Sequence, residues 1–327
     1  MTLPHPASRI PHPTSHIPHP ASRIPHPASV PPSLYSRDLL LTFSGAEYAD
    51  FLAGGGRQLR PRLARSLELA RLAPDMHVLD IGCGRGEITL HAARRGATVT
   101  AMDFSTDCLE LTSQTLDLAS PAERARVQLV RADAAALPVN DSSVHRIFFL
   151  DVAEHLQPWQ LRQALEEIRR VLRPDGYAVI HTLPNRWALD IGYQLVRRLF
   201  PSLPAEPRSA YEQQVHVNEL DLFRLSGALD GAGLHHRVWL ENWTVDHARW
   251  RAGRRFADPL RDRSYPLLRR RWAGRLLGAL VRTPLRLVLA NDLFAIAWPH
   301  GYRTPAPVWS RRWVERLALM KIEELLR

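Results

Sequence analysis

The stretch HVLDIGCGRGEITLHAARRG, residues 77 to 96, decides the fold. His77-Val78-Leu79-Asp80-Ile81 is a short apolar run of strand length. Gly82, Gly84 and Gly86 then make a loop that lets backbone approach a ligand closely, and Glu87 to Arg95 has helical character. Strand, glycine loop and helix form one unit of an α/β chain.

Downstream the unit recurs. Ala97 to Met102 is a β-rich run closed by Asp103, with a helix expected over Thr106 to Ala119. Val127 to Arg131 gives a third strand ending near Asp133, and Ile147 to Leu150 a fourth ending at Asp151. Trp159 to Leu172 is an amphipathic helix on Leu161, Leu165, Ile168 and Leu172. Arg173-Pro174-Asp175-Gly176 has turn composition before a fifth strand over Tyr177 to Thr182. A helix over Glu219 to Leu229, a sixth strand over His235 to Trp243 and a last strand over Asp292 to Trp298 complete the series. Such alternation predicts an α/β fold, a doubly wound, mostly parallel sheet covered on both faces.

Upstream, residues 34–76 read as a helical lead-in, broken at Ala53-Gly54-Gly55-Gly56 and resumed on Leu63, Leu67 and Leu69. Residues 1–33 carry a heptapeptide repeat starting at Pro4, Pro11, Pro18 and Pro25, and are expected to be disordered, because proline removes donors and no apolar period remains. The histidines of the repeat have no fixed geometry for a metal. Residues 77–246 make the core, 247–290 an arginine-rich helical insertion before the last strand at 291–298, and 299–327 a C-terminal helix. Trp309, Trp313, Leu317 and Met320 on that helix suit docking on the core or on a second subunit.

In an open parallel sheet, ligands bind beyond the carboxyl ends of the strands, where the winding reverses. Asp80, Asp103, Asp133 and Asp151 fall at or beside those ends. Dinucleotide enzymes use G-x-G-x-x-G to cradle a pyrophosphate, whereas this chain has G-x-G-x-G preceded by Asp80. A carboxylate there repels pyrophosphate and attracts an amino group, so the site suits an adenosyl amino acid.

VLDIGCGRGEIT, MDFS, RADAAALP, FLDVAEHL and LRPDGYAVIHTLPN, spread over Val78 to Asn185, resemble the successive motifs of small-molecule class I methyltransferases, the quinone methyltransferases most of all. A weaker likeness covers His216 to Leu234 and DLFAIAWP. The resemblance implies S-adenosylmethionine as cofactor and a Rossmann-like seven-stranded sheet whose final strand is antiparallel. It assigns Asp80, Gly82, Cys83, Gly84 and Gly86 to the methionine half, Asp103 and Phe104 to ribose and adenine, Asp133 and Ala134 to adenine, and Asp151 to the floor of the site. Val144-His145 departs from the family's aromatic-Asp pair. Methyl transfer from a sulfonium is an in-line displacement, so no metal or nucleophilic residue is required. Where the acceptor must lose a proton, His155 is the candidate base by motif position. His181, Asn185, His216 and Asn218 fall where substrate pockets form in the family.

The net charge of +10 resides in one segment: between His247 and Ala290 twelve arginines face only Asp258 and Asp262. Leu268, Trp272, Leu276 and Leu280 make one apolar helical face there, a pattern for a lid on the core or for an anionic membrane surface. The expected acceptor is a small hydrophobic or lipid-linked molecule, methylated on oxygen or carbon, by an enzyme that is cytoplasmic and peripheral at the inner face of the membrane. Cys83 and Cys108, the only cysteines, describe no disulfide framework. Two other classes fit less well. A nucleic acid methyltransferase would use the same arginines but lacks an Asn-Pro-Pro-Tyr type motif and an added RNA-binding module, and a non-catalytic cofactor-binding protein shares the fold.

Overall fold

The computed structural model describes residues 29–243 and 271–299, without the side chains of residues 42–46 and 271. Residues 300–327, where a C-terminal helix is expected, most of the arginine-rich segment and most of the repeat fall outside the described residues. Seven strands form one sheet in the order β3-β2-β1-β4-β5-β7-β6. They are β1 (His77–Ile81), β2 (Thr98–Asp103), β3 (Val127–Arg131), β4 (Val144–Leu150), β5 (Leu172–Thr182), β6 (His235–Glu241) and β7 (Asp292–Trp298). The first five run parallel, and β7 is antiparallel to both β5 and β6.

Helices cover both faces. The amphipathic α6 (Pro158–Val171) buries Leu161, Leu165 and Ile168 against β4 and β5, its first turn closed by reciprocal Gln157 and Gln160 bonds. Fully burying each such side chain contributes about 1.5–3 kcal/mol. On the other face α2 (Pro61–Ala70) and α3 (Glu87–Arg94) pack Leu63, Leu67 and Ile88 against Val78, Val99 and Phe148. The lead-in helix α1 (Arg37–Ala53) sits against α4 (Thr106–Thr115), with the Tyr48 hydroxyl on the carbonyl of Leu111. A short α5 (Pro121–Arg124) leads into β3.

Three expectations are corrected. The turn at Arg173 to Gly176 is an irregularity inside β5, because Leu172 pairs with Val144 and Tyr177 with Arg146, leaving the intervening residues looped out of the ladder. The helix expected from Glu219 is α9 (Leu222–Gly231), started by Asp221, whose Oδ1 accepts the amides of Phe223 and Arg224 at 3.0 Å. The folded chain begins before residue 34: Val30 and Tyr35 are buried, and the one-turn helix Pro32–Tyr35 brings the Tyr35 ring against Phe104 and His155.

Between β5 and α9 lies a helical stretch the periodicity did not announce. A π-helical turn, Ala188–Tyr193, continues into α7 (Gln194–Leu199), and α8 (Ala210–Val215) follows with a Ser209–Glu212 capping box. After the undescribed segment come α10 (Arg271–Leu280) and α11 (Arg286–Leu289), separated where Thr283-Pro284 interrupts. On α10, Ala273 is buried and Leu280 half-buried, while Trp272 and Leu276, two residues of the apolar face read from the sequence, are 53% and 52% exposed; Leu268 lies outside the described residues.

Candidate functional site

The order of the sheet reverses between β1 and β4, and beyond the carboxyl ends of these strands lies a cavity of about 530 Å³. Asp80, Gly82, Cys83, Gly84, Asp103, Phe104, Asp133, Ala134 and Asp151 all line it. The loop after β1 is held from below: the amides of Gly82 and Cys83 both donate to the carbonyl of Met102, at 2.8 and 2.9 Å. Gly82 has φ of 71°, and a Cβ there would stand 2.4 Å from Val152 Cγ2. Gly86 does not line the cavity and packs on Thr112 instead.

Asp80 is 4% exposed, and its Oδ2 accepts the Thr89 hydroxyl at 2.6 Å. Burial pushes its carboxyl up to about 7, with the Thr89 bond opposing. Asp103 accepts the Gly84 amide on Oδ2 at 3.1 Å and the Ser105 amide on Oδ1 at 2.9 Å, so β2 clamps the glycine loop. Burial raises this carboxyl too, with those two amides opposing. Asp133, which lines the cavity just beyond β3, accepts the Ala135 amide on Oδ1 at 2.9 Å.

Asp151 is committed differently. Its Oδ2 takes Arg62 Nη2 at 2.7 Å, and its Oδ1 lies 2.5 Å from His181 Nδ1. Burial alone would raise its carboxyl, but the charges of Arg62 and His181 outweigh this and hold it well below the usual carboxylate range.

The candidate substrate residues divide. His155 and His216 line the cavity, their rings 4.9 Å apart. His181 is 1% exposed and locked between Asp151 and Asp292, away from the cavity lining. Asn185 is also outside it: its Nδ2 donates to the carbonyls of Leu287 and Ala290, both at 2.9 Å, and so ties the end of β5 to the approach of β7. The Asn218 amide donates to the Glu154 carbonyl, so this residue braces the site from behind.

The sequence reading passed over several lining residues. Arg60 and Arg62 reach in from the start of α2; the Nε–H of each is buried without a hydrogen-bond partner. Tyr35, with Val30 and Leu40, walls the cavity from the N-terminal side; its ring packs edge-on to Phe104 at 5.0 Å, and its buried hydroxyl has no partner. Glu154, 1% exposed, accepts the Thr182 hydroxyl at 2.8 Å. No local period marks such positions, because the chain returns to the cavity from elements remote in sequence.

The family described as a methyltransferase domain matches residues 78–176. A demethylmenaquinone methyltransferase of Staphylococcus epidermidis is 31% identical over 172 residues, covering 48% of this chain and 67% of that one. A demethylmenaquinone methyltransferase of Clavibacter sepedonicus is 33% identical over 165 residues, 48% of this chain and 62% of that one. A solved geranyl diphosphate methyltransferase in complex with SAM shares the fold, with a TM-score of 0.50 at 15% identity, covering 77% of this chain and 89% of that one. The chain spans about half the length of the curated relatives it matches. Glycine loop, strand-end carboxylates, antiparallel last strand and these matched sequences agree: the chain belongs to the class I S-adenosylmethionine-dependent methyltransferases, in their small-molecule, quinone-methyltransferase-like branch.

Proposed function

We propose that the chain binds S-adenosylmethionine in this cavity and transfers its methyl group to a small hydrophobic or amphiphilic acceptor. The observation that carries the reading is the convergence of Asp80, Asp103 and Asp133 from three strand ends on one cavity with the glycine loop. The residues fit the cofactor's groups one by one. The buried Asp80 carboxylate suits an ammonium, and the unpartnered Nε–H groups of Arg60 and Arg62 suit a carboxylate. Asp103, with lone pairs left after accepting two amides, suits the ribose hydroxyls, and Asp133 beside Phe104 suits an adenine amine.

When bound, the sulfonium supplies an electrophilic methyl carbon. The chain's task is then alignment and exclusion of water, for which Val30, Tyr35, Leu40, Leu137 and Leu156 give an apolar wall. Beside that wall the cavity is polar, with Glu154, His155 and His216 together and the His155 ring edge-on to Tyr35 at 5.4 Å. Burial and the neighbouring His216 push the His155 ring down to about 3. A ring held this low is a weak Brønsted base, which counts against the general-base role that motif position suggests for His155.

The acceptor is reached, in this reading, at an anionic membrane surface. Among the described residues the exposed large apolar side chains fall in two stretches: Ile191, Leu195, Leu199, Phe200 and Phe223 in one, Trp272, Leu276 and Leu285 in the other. The π-helical turn that begins the first packs against α11, and exposed Arg198, Arg275 and Arg282 lie on the same segments. Apolar side chains flanked by arginine suit an anionic lipid surface. The first stretch leaves the cavity wall at Leu183 and returns to it at Tyr211 and His216. No helix among the described residues is long and apolar enough to cross a membrane.

Calorimetry with S-adenosylmethionine, S-adenosylhomocysteine and NAD tests the cofactor. The first two should bind and NAD should not; binding of NAD alone would sink the assignment. Flotation with phosphatidylglycerol vesicles tests the surface: it should fail at high salt and in a Trp272→Ser/Leu276→Ser variant.

A further inference from the structure

His181 and Asp292 lie outside the cavity lining, yet they end a row of charges that begins on the cavity wall. Arg62, in the first turn of α2, lines the cavity and donates from Nη2 to Asp151 Oδ2 at 2.7 Å. Asp151 follows β4, and its Oδ1 takes His181 Nδ1, near the end of β5. His181 Nε2 in turn donates to Oδ1 of Asp292, the first residue of β7, whose Oδ2 accepts the Trp243 amide at 3.2 Å.

Each ring nitrogen of His181 faces a carboxylate oxygen. Ionised carboxylates only accept, so both nitrogens carry protons and the ring is an imidazolium. The row therefore alternates in sign, as guanidinium, carboxylate, imidazolium, carboxylate. That alternation matters at the cavity. Beside a neutral ring, Asp151 would belong to Arg62 alone and cancel the charge that its guanidinium offers a ligand. With an imidazolium on its other oxygen, the carboxylate is shared between two cations, and the Arg62 end of the row stays positive. Asp292 offsets the ring one step further from the cavity, where its charge weighs less on a ligand.

Geometry is fixed along with sign. Asp151 is held from both sides, so it pins one Nη of Arg62, and the plane of a guanidinium follows from such an anchor. The Nε–H of Arg62 is buried without a hydrogen-bond partner, and a buried charged donor left unpaired calls for an acceptor.

We propose that His181 and Asp292 are positioning residues for the carboxylate of the cofactor's amino-acid tail, acting through Asp151 on Arg62. The inference rests on the proposed cofactor site and says which half of the ligand the row serves: the carboxylate, and not the adenosine. His181 thus takes part in binding without touching the ligand, in place of the substrate contact expected from its position in the sequence.

The test uses S-adenosylhomocysteine and its decarboxylated analogue, which keeps the adenosine and the amine and lacks only the carboxylate. Competition calorimetry on the full chain should show the wild type preferring the carboxylate-bearing ligand by about 10-fold or more. That preference should fall about 10-fold in His181→Gln and about 3-fold in Asp292→Asn, with affinity for the analogue unchanged in both. In an Arg62→Gln background the His181 substitution should cost nothing further, because residues that act through one another are not additive. Equal losses on both ligands, or a His181→Gln effect undiminished in the Arg62→Gln background, would overturn the inference. Asp292→Asn keeps the shape of the side chain and removes only its charge, so it decides the matter where His181→Gln fails to fold. A wild type that binds both ligands equally defeats this inference alone, whereas one that binds neither defeats the cofactor reading and this inference with it.

Discussion

His181 Nδ1 lies 2.5 Å from Asp151 Oδ1, joining the end of β5 to the end of β4 beneath the cavity. The other ring nitrogen meets Asp292 Oδ1 at 3.1 Å, and Arg62 completes the row from above Asp151. Asp292 reaches this edge because β7 is antiparallel, so that its first residue lies level with the last residues of its parallel neighbours. The row holds Asp151 at φ of 57°, an uncommon backbone for a residue with a side chain.

That row predicts a pH dependence of stability. Burial disfavours the charged His181 ring, but Asp151 and then Asp292 outweigh it and hold the pKa up to about 9. A raised histidine contributes stability that is complete below its unfolded value of about 6.5 and is lost as pH climbs through 9. Between those limits the wild type should lose up to about 3 kcal/mol relative to His181→Gln. Urea denaturation of both proteins across the window checks this; parallel curves would show that the ring carries no such charge.

Asp80 predicts a pH dependence of cofactor binding. Its carboxyl, pushed up to about 7 by burial, is largely protonated in the free protein below that pH and ionised above it. The ionised form is the one that attracts an ammonium, so affinity for S-adenosylmethionine should fall by up to about 10-fold for each unit of pH below 7. Isothermal titration over this range should show the slope in the wild type and its absence in Asp80→Asn.

Asp103→Ala should weaken S-adenosylmethionine binding by about 100-fold, since both charged acceptors for the ribose are lost and the Gly84 amide loses its partner. Asp103→Asn should be milder, as the amide oxygen can still accept one bond. Equal affinity in wild type and Asp103→Ala would remove the ribose assignment.

Gly82→Ala should destabilise the protein by about 1–3 kcal/mol, because the new methyl meets Val152 at 2.4 Å on backbone with φ of 71°. Adding Val152→Ala should recover only part of the loss, since relief of the clash leaves the backbone cost in place. Full recovery in the double variant, read by thermal denaturation, would show that sterics alone reserve this position for glycine.

Much of the core was legible in the sequence because its signals are local. The limits of β3 and β7 and the strand-end positions of Asp103 and Asp151 follow from apolar runs that end at polar residues. The irregularity in β5 was not legible, since proline, aspartate and glycine look the same in a turn as in residues looped out of a ladder. His181 and Asn185 sit where family pockets form, yet both are spent on holding β7, whose placement no local pattern states.

The amino-acid sequence by itself determined the alternation of strand and helix, the glycine loop and the acids at or beside the ends of the first four strands, because periodicity, turn chemistry and backbone freedom act over a few neighbouring residues. Only the tertiary structure decided which polar groups share the cavity. Arg60, Arg62, Tyr35 and His216 approach it from segments far apart in the chain, and burial, which fixes both their partners and their protonation, exists only once those segments have packed.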